Sequence, residues 1–274
     1  MKMTKDSSEF PGYYIAPKIK ATLDKAKNHV IKYDWDRVYI IDGTEGSGKS
    51  LLALQLAYYF DPTLNLDRVA FTGDEFTEAI RTAKKNQAII FDEAFNGLSS
   101  TAATSKLNKL IVAKLMECRQ KNLFLFIVLP TIFLLQKYVS IFRSRALFHV
   151  YVPKSNVRGY YRVYNQKNKK YLYLNGWKFY SYQKPFLRKS QRFYGKYPID
   201  EEAYRAKKLK SIVADLKIEK VDKNVMRRVA LEKYLKDNKI LTYEQIAEEY
   251  SKNNCPLDAT NISRGIKNLH SASS

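Results

Sequence analysis

Glycine is scarce in this 274-residue chain, at 10 residues, and so are proline, histidine and tryptophan, at 8, 3 and 2. That shortage excludes a collagen-like or linker-like composition, and it makes any glycine cluster a deliberate turn. The only two cysteines, Cys118 and Cys255, match no metal or redox spacing and are read as reduced. Long apolar runs are missing too. The longest, Leu123–Leu135, contains Pro130 and Thr131 and reads as a buried strand leading into a helix rather than a membrane span. Met1–Glu9 is polar and has no signal-peptide apolar stretch, which predicts an intracellular protein. Acidic residues are the last shortage: 27 Asp+Glu face 48 Lys+Arg, a net +21. Self-repulsion on that scale opposes compactness, so a polyanionic partner is implied, either nucleic acid or an anionic membrane surface.

What is present in quantity is an ordinary 45% of hydrophobic residues, with 21 tyrosines. High Tyr and Lys with little Gly resembles an AT-rich or thermophilic source. Ala16–Ile31 predicts a basic lead-in helix. Apolar strands are expected at Arg37–Asp42, Arg68–Phe71, Gln87–Phe91, Leu123–Leu129 and Ala146–Val152. Helices are expected between them at Lys49–Phe60, Asp74–Lys84, Ser105–Gln120 and Ile132–Phe142. This alternation predicts an α/β fold, a parallel sheet with helices on both faces.

Within that frame Gly43-Thr44-Glu45-Gly46-Ser47-Gly48-Lys49-Ser50 satisfies the phosphate-loop pattern G-x-x-x-x-G-K-[ST], between a strand and a helix. Its glycines let backbone N–H groups turn toward phosphate oxygens, Lys49 can reach the β- and γ-phosphates, and Ser50 can bind Mg²⁺. The strand Ala88–Phe91 ends in Asp92-Glu93. Asp92 is the candidate Mg²⁺ ligand and Glu93 the candidate general base for the attacking water. The implied cofactors are ATP and Mg²⁺. Thr131, after the next strand, is either a γ-phosphate sensor or a helix cap. Arg143 and Arg145 are either arginine fingers reaching a neighbouring subunit or surface and DNA-contacting charge, with Arg119 a further candidate.

Gly43–Ser50 followed by Asp92-Glu93 is similar to the P-loop ATPases that carry a catalytic glutamate. Cys118–Thr131 (CRQKNLFLFIVLPT) followed by Ile141–Arg145 (IFRSR) resembles the HerA/FtsK-type DNA-pumping ATPases and their viral and Zot-like (zonular occludens toxin-like) relatives. The resemblance covers about Arg37–Val152, and Pro130 before Thr131 departs from the usual sensor. It implies a RecA-like ATPase domain and a homo-oligomeric ring moving duplex DNA, in the host cytoplasm or with a virion.

Beyond Pro153 the pattern changes. Gly159–Asn165, Lys169–Asn175 and Trp177–Tyr182 read as a small antiparallel meander, with Asn175-Gly176 as a hairpin turn. Its basic residues (Arg158, Arg162, Lys167, Lys169, Lys170) interleave with aromatics. That pattern fits either nucleic-acid binding or an ordinary sheet with one solvated face. Pro185–Pro198 reads as a loop and Glu201–Val221 as a basic helix. Lys223–Leu269 resembles a helix-turn-helix with Met226, Ala230 and Tyr234 on one helix face. Its recognition helix, Ala259–Leu269, would offer Asn261, Ser263, Arg264 and Lys267 to DNA. The expected domains are 1–153, an ATPase; 154–222, a basic β-rich insertion with a connecting helix; and 223–274, a helix-turn-helix. An ATP-gated DNA-binding regulator and a Zot-like virion assembly ATPase are the alternatives to a motor.

Overall fold

The structure, a computed structural model, describes residues 12–92, 101–187, 189–218, 223–238, 240–252 and 258–264, with side chains omitted at 101–103 and 212–227. Two compact units divide the chain, Met1–Ser211 and Ile212–Ser274.

The first unit begins with strand β1 (Tyr13–Ile15) and helix α1 (Pro17–Tyr33), which has proline at its first turn. There follow β2 (Arg37–Gly43), α2 (Lys49–Phe60), β3 (Val69–Ala70), α3 (Gly73–Thr82) and β4 (Ala88–Phe91). Next come α4 (Thr101–Gln120), β5 (Phe124–Val128), β6 (Ser144–Tyr151), β7 (Tyr160–Tyr164), α5 (Gln166–Gly176) and β8 (Gln191–Gly195). Helix α6 (Glu201–Ile218) starts in this unit and crosses the boundary.

The eight strands form one sheet in the order β1-β8-β7-β6-β2-β5-β4-β3. The five strands from β6 to β3 are parallel, with Ile41 opposite Val128 on one side and Phe148 on the other. Strands β7, β8 and β1 continue it antiparallel. The central strands are apolar throughout because both faces are covered. Val38 and Ile40 face a core with α3, α4 and α5 residues, while Tyr39 and Ile41 face a core with α1 and α2. The mixed, mostly parallel architecture is consistent with a P-loop NTPase-like fold.

Three expectations fail here. The meander does not form beyond its first strand, because Lys169–Asn175 lies in α5. Asn165 caps that helix by accepting from the Asn168 N–H at 2.9 Å. Lys169, Leu172, Tyr173 and Gly176, at helical spacing, make its buried side. Gly176 has φ −91°, so Asn175-Gly176 is a helix end and not a hairpin turn. Trp177–Phe179 is a 3₁₀ turn. Second, the expected loop Pro185–Pro198 contains β8, and no break in the sheet appears at 153. Third, Ile132–Phe142 is not one helix but a 3₁₀ turn, Ile132–Leu134, and a π-helical turn, Tyr138–Arg143. The Leu135 carbonyl is taken by Tyr173 Oη at 2.7 Å instead of by a helical N–H.

The second unit contains α7 (Lys223–Asp237), α8 (Tyr243–Lys252) and a helical turn at 259–264, which meet at Val229, Ile246 and Ile262. Thr242 and Gln245 cap α8 reciprocally. Tyr234 is exposed and Ala230 faces out, so the packing face of α7 runs through Val229 and Glu232 rather than along Ala230 and Tyr234. Buried Glu232 accepts from Tyr250 Oη at 2.9 Å and pairs with Arg228 at 3.2 Å, both at Oε1. The side chain of Met226 and all of Ile266, Lys267 and Leu269 lie outside the described residues.

Candidate nucleotide-binding site

The phosphate loop leaves β2 at Gly43 and enters α2 at Lys49. Gly43 has φ +137°, and a Cβ there would sit 1.9 Å from the Val150 carbonyl oxygen, so only glycine lets the loop leave so close to β6. Gly46 and Gly48 have φ +69° and +99°, the left-handed backbone that turns N–H groups inward. Ser47 is buried and ties the loop to itself through the Thr44 carbonyl at 2.7 Å. Lys49 Nζ donates to the carbonyls of Gly43 at 2.8 Å and Thr44 at 2.9 Å, folded back over the loop. Gly48 caps the nearly all-buried α2, whose N-terminus opens into the loop.

Two strands away across β5, β4 delivers Asp92 to the same edge of the sheet, where the Asp92 N–H donates to the Ala70 carbonyl at 2.8 Å. Tyr204, from the first turn of α6, is 2% exposed. Its hydroxyl donates to Asp92 and has Ser50 beside it. Burial first, then the charge of Asp92, pushes the Tyr204 pKa well above the ordinary value, so the hydroxyl stays protonated. A carboxylate and a hydroxyl brought onto one small polar atom are a fitting donor pair for Mg²⁺. Such a site takes few protein ligands and completes itself with phosphate oxygens and water. The glycine cradle and Lys49 fit a polyphosphate equally well.

The base of the loop is fixed by a second buried carboxylate. Asp42 accepts from the Ile132 N–H at 2.9 Å, from the Tyr182 hydroxyl, and faces His149 Nδ1 at 2.8 Å. The rings of His149 and Tyr182 stack with centroids 4.1 Å apart. Because the Tyr182 proton goes to Asp42, Thr131 Oγ1, at 2.8 Å from that hydroxyl, acts as donor to it. Thr131 also caps the Ile132–Leu134 turn, and the Gly43 N–H donates to the neighbouring Pro130 carbonyl at 3.2 Å. Thr131 therefore has its capping role and lies beside the foot of the loop as well.

The antiparallel strands reach the loop from the other side. A Cβ on Gly48 would meet the Phe193 ring at 3.1 Å, and one on Gly46 would lie 3.8 Å from an Arg158 guanidinium nitrogen. Thus β8 and the loop before β7 put an aromatic ring and a cation over the cradle.

Gly43–Ser50, Asp92 and Thr131 lie at one edge of the sheet, whereas Glu93 lies outside the described residues. Arg143 and Arg145 are not brought there. Both sit where β6 begins, and parallel pairing puts that end beside Val38, five residues or roughly 17 Å of strand from Gly43. Arg143 is bound by buried Asp36 at 2.6 Å and by the Leu115 carbonyl at 3.1 Å, and Arg145 by Gln166 at 3.2 Å. Arg119 lies over the Trp35 ring and donates to the Asp34 carbonyl. Sequence reasoning missed Tyr204, Phe193, Tyr182 and Asp42. Only Asp42 had a local signal, an acid inside an apolar strand directly before the first loop glycine.

No protein-family model matches the chain, and no curated protein matches it. Among solved structures the crystal structure of the FIGL-1 AAA domain is similar, at 13% identity and a TM-score of 0.36. The likeness covers 53% of this chain and 54% of that one, so it spans about half the length of the solved domain.

Proposed function

We propose that this chain is an ATP-hydrolysing, RecA-like P-loop motor that acts on DNA, as in translocation or genome packaging for a virus or mobile element. The observation that carries the reading is the convergence of Lys49, Ser50 and Asp92 on the edge of the sheet where the glycine cradle opens. ATP phosphates would lie on the loop N–H groups and the α2 N-terminus, with Lys49 turning from its backbone carbonyls to phosphate oxygens. Ser50 and Asp92 would hold Mg²⁺, which neutralises charge on the transferring phosphoryl group. Glu93, next in sequence, is the base for the attacking water. Thr131 would respond to the γ-phosphate through its hydrogen bond to Tyr182, which donates to Asp42. Arg143 and Arg145, at the opposite end of β6, could serve as fingers only toward a neighbouring copy in a ring.

Support for DNA as the partner is the net charge of +21 and the three packed helices of the second unit. The turn at 259–264 is started by Asp258, which accepts from the Asn261 N–H at 2.7 Å, and it exposes Asn261 and Arg264, with Ser263 half-exposed. As a helix-turn-helix this unit would read base edges. The test is the ATPase rate with and without duplex and single-stranded DNA. Strong stimulation that disappears in Lys49→Ala and Glu93→Gln supports the motor. A slow rate indifferent to DNA overturns it.

A second reading, an ATP-gated DNA-binding regulator, is favoured by Tyr204, since α6 leads from Asp92 into the second unit. It predicts slow turnover with a nucleotide-dependent footprint. A Zot-like virion assembly ATPase would carry a membrane-spanning helix, and no described helix is long and apolar enough for one.

A further inference from the structure

A second concavity lies at the other end of the sheet, between α1 and the beginnings of β2 and β6. Its floor is apolar and aromatic, built by Tyr39, Phe148, Ile141 and Val163, with Phe142 62% exposed at its border. Its walls carry Lys25, Arg37, Arg145, Lys167 and Lys170, and no carboxylate lines it among the described residues. An adjoining groove shares Lys167 and Lys170 and adds Lys184 and Tyr171, again without an acid. The two make one continuous basic track.

Some cations of the molecule are compensated and these are not. Arg68, Arg81, Arg143, Arg205 and Lys252 are each paired to a carboxylate. None of the track's six cations makes such a pair among the described residues. Arg37 is half-buried and shares a hydrogen bond with His29 Nδ1 at 3.0 Å rather than with an acid. Two buried polar atoms at the floor have no protein partner: the hydroxyl of Tyr39, a residue only 3% exposed, and Arg37 Nε. A buried donor without an acceptor is a standing cost, so a ligand acceptor that reaches it gains affinity. Beside the track Trp35, 50% exposed, lies under the guanidinium groups of Arg37 and Arg119.

We propose that this track binds single-stranded nucleic acid, with bases against the exposed rings of Phe142, Tyr171 and Trp35 and backbone phosphates on the lysine and arginine walls. A row of uncompensated cations beside apolar ring faces suits a strand whose bases are unpaired, because a duplex hides those faces. The continuity of the two grooves favours a polymer over a single small anion. The proposal rests on the reading of DNA as the partner, but it moves a contact from the second unit to the first and from paired to unpaired bases. It also separates strand binding from nucleotide binding by the length of β2.

The test is fluorescence anisotropy of a labelled oligodeoxythymidylate with the full chain, compared with a duplex of equal length and with anionic phospholipid vesicles. Lys167→Glu/Lys170→Glu is the primary variant, Arg81→Glu on α3 is the control for a lost surface cation away from the track, and circular dichroism checks that each variant is folded. The expected result is single-strand binding that weakens with salt, falls about tenfold or more in the lysine variant and is unchanged in Arg81→Glu. Lys49→Ala should bind the oligomer normally while losing ATP hydrolysis, which distinguishes failure of the track from failure of the ATPase reading. Equal loss on duplex and single strand, affinity insensitive to the lysine substitutions, or vesicle binding without oligomer binding would each overturn the proposal.

Discussion

The parallel half of the sheet and its antiparallel flank contribute to the candidate nucleotide site in opposite ways. Strands β2, β5, β4 and β6 are buried apolar runs that act through position alone, delivering Gly43, Asp92 and Thr131 to one edge. The flank is polar and aromatic and acts through side chains laid over that edge: Phe193 against Gly48, Arg158 near Gly46 and, from α6 beyond it, Tyr204 on Asp92. The first half makes a phosphate cradle that many sequences could make. The second distinguishes this molecule, because its residues decide what lies over the glycine cradle. Binding sites commonly divide this way between a rigid scaffold and the connections laid over it.

Glycine substitutions should break the comparison most severely. Gly43→Ala puts a Cβ 1.9 Å from the Val150 carbonyl oxygen inside the parallel half and should cost about 4 kcal/mol or more, read from the urea midpoint. Gly159→Ala, at φ +94° and 2.4 Å from the Phe193 carbonyl oxygen, strains only the flank and should cost about 2–3 kcal/mol. Equal losses would mean that the two halves melt as one unit.

A smaller effect comes from the seam between them. Lys169 on α5 is fully buried and donates to the Ser144 carbonyl and hydroxyl on β6, with no carboxylate. Burial, then Arg145, lowers its pKa from 10.5 to about 7. Below that value both folded and unfolded chains hold the proton, and the cost of the buried charge is present in full. Between about 7 and 10.5 the unfolded chain binds the extra proton, so this residue makes stability rise with pH. Its contribution has a slope of up to about 1.4 kcal/mol per pH unit. Lys169→Met should remove that slope from pH-resolved denaturation curves, and an unchanged slope would refute the assignment.

The mildest change sharpens the comparison at the site itself. Tyr204→Phe removes the donor that Asp92 accepts while keeping the ring against Phe71 and Tyr197. Apparent Mg²⁺ affinity, measured with a fluorescent ATP analogue, should rise about tenfold as the carboxylate is released. A fall would show that Tyr204 helps to build the metal site rather than compete for it.

The parallel half was legible because its signals are local. Arg37–Asp42 and Leu123–Leu129 are apolar runs of strand length, and the phosphate loop is a motif with a mechanism. The flank was not. The buried side of α5 is Lys169, Leu172, Tyr173 and Gly176, and a lysine in such a stripe hides its helical period. Strand β8 buries only Phe193, so nothing in Gln191–Gly195 distinguishes it from a loop until its neighbours are in place. Tyr204 reaches Asp92 across 112 residues, a distance no local pattern spans. In the second unit Ile246 and Ile262 were legible at helical spacing, while the inward face of α7 was assigned to the wrong residues because Glu232 is buried by pairing.

The outermost strands carry a further consequence. The sheet ends at β3 with two residues and at β1 with three, so little unpaired backbone is offered at either margin. Long open margins invite another chain to add a strand, an error to which any protein that assembles in several copies is exposed. With its margins cut so short, the sheet offers little to strand addition, which tends toward fibres, and neighbouring copies in the proposed ring would meet through side chains, which can be released and remade.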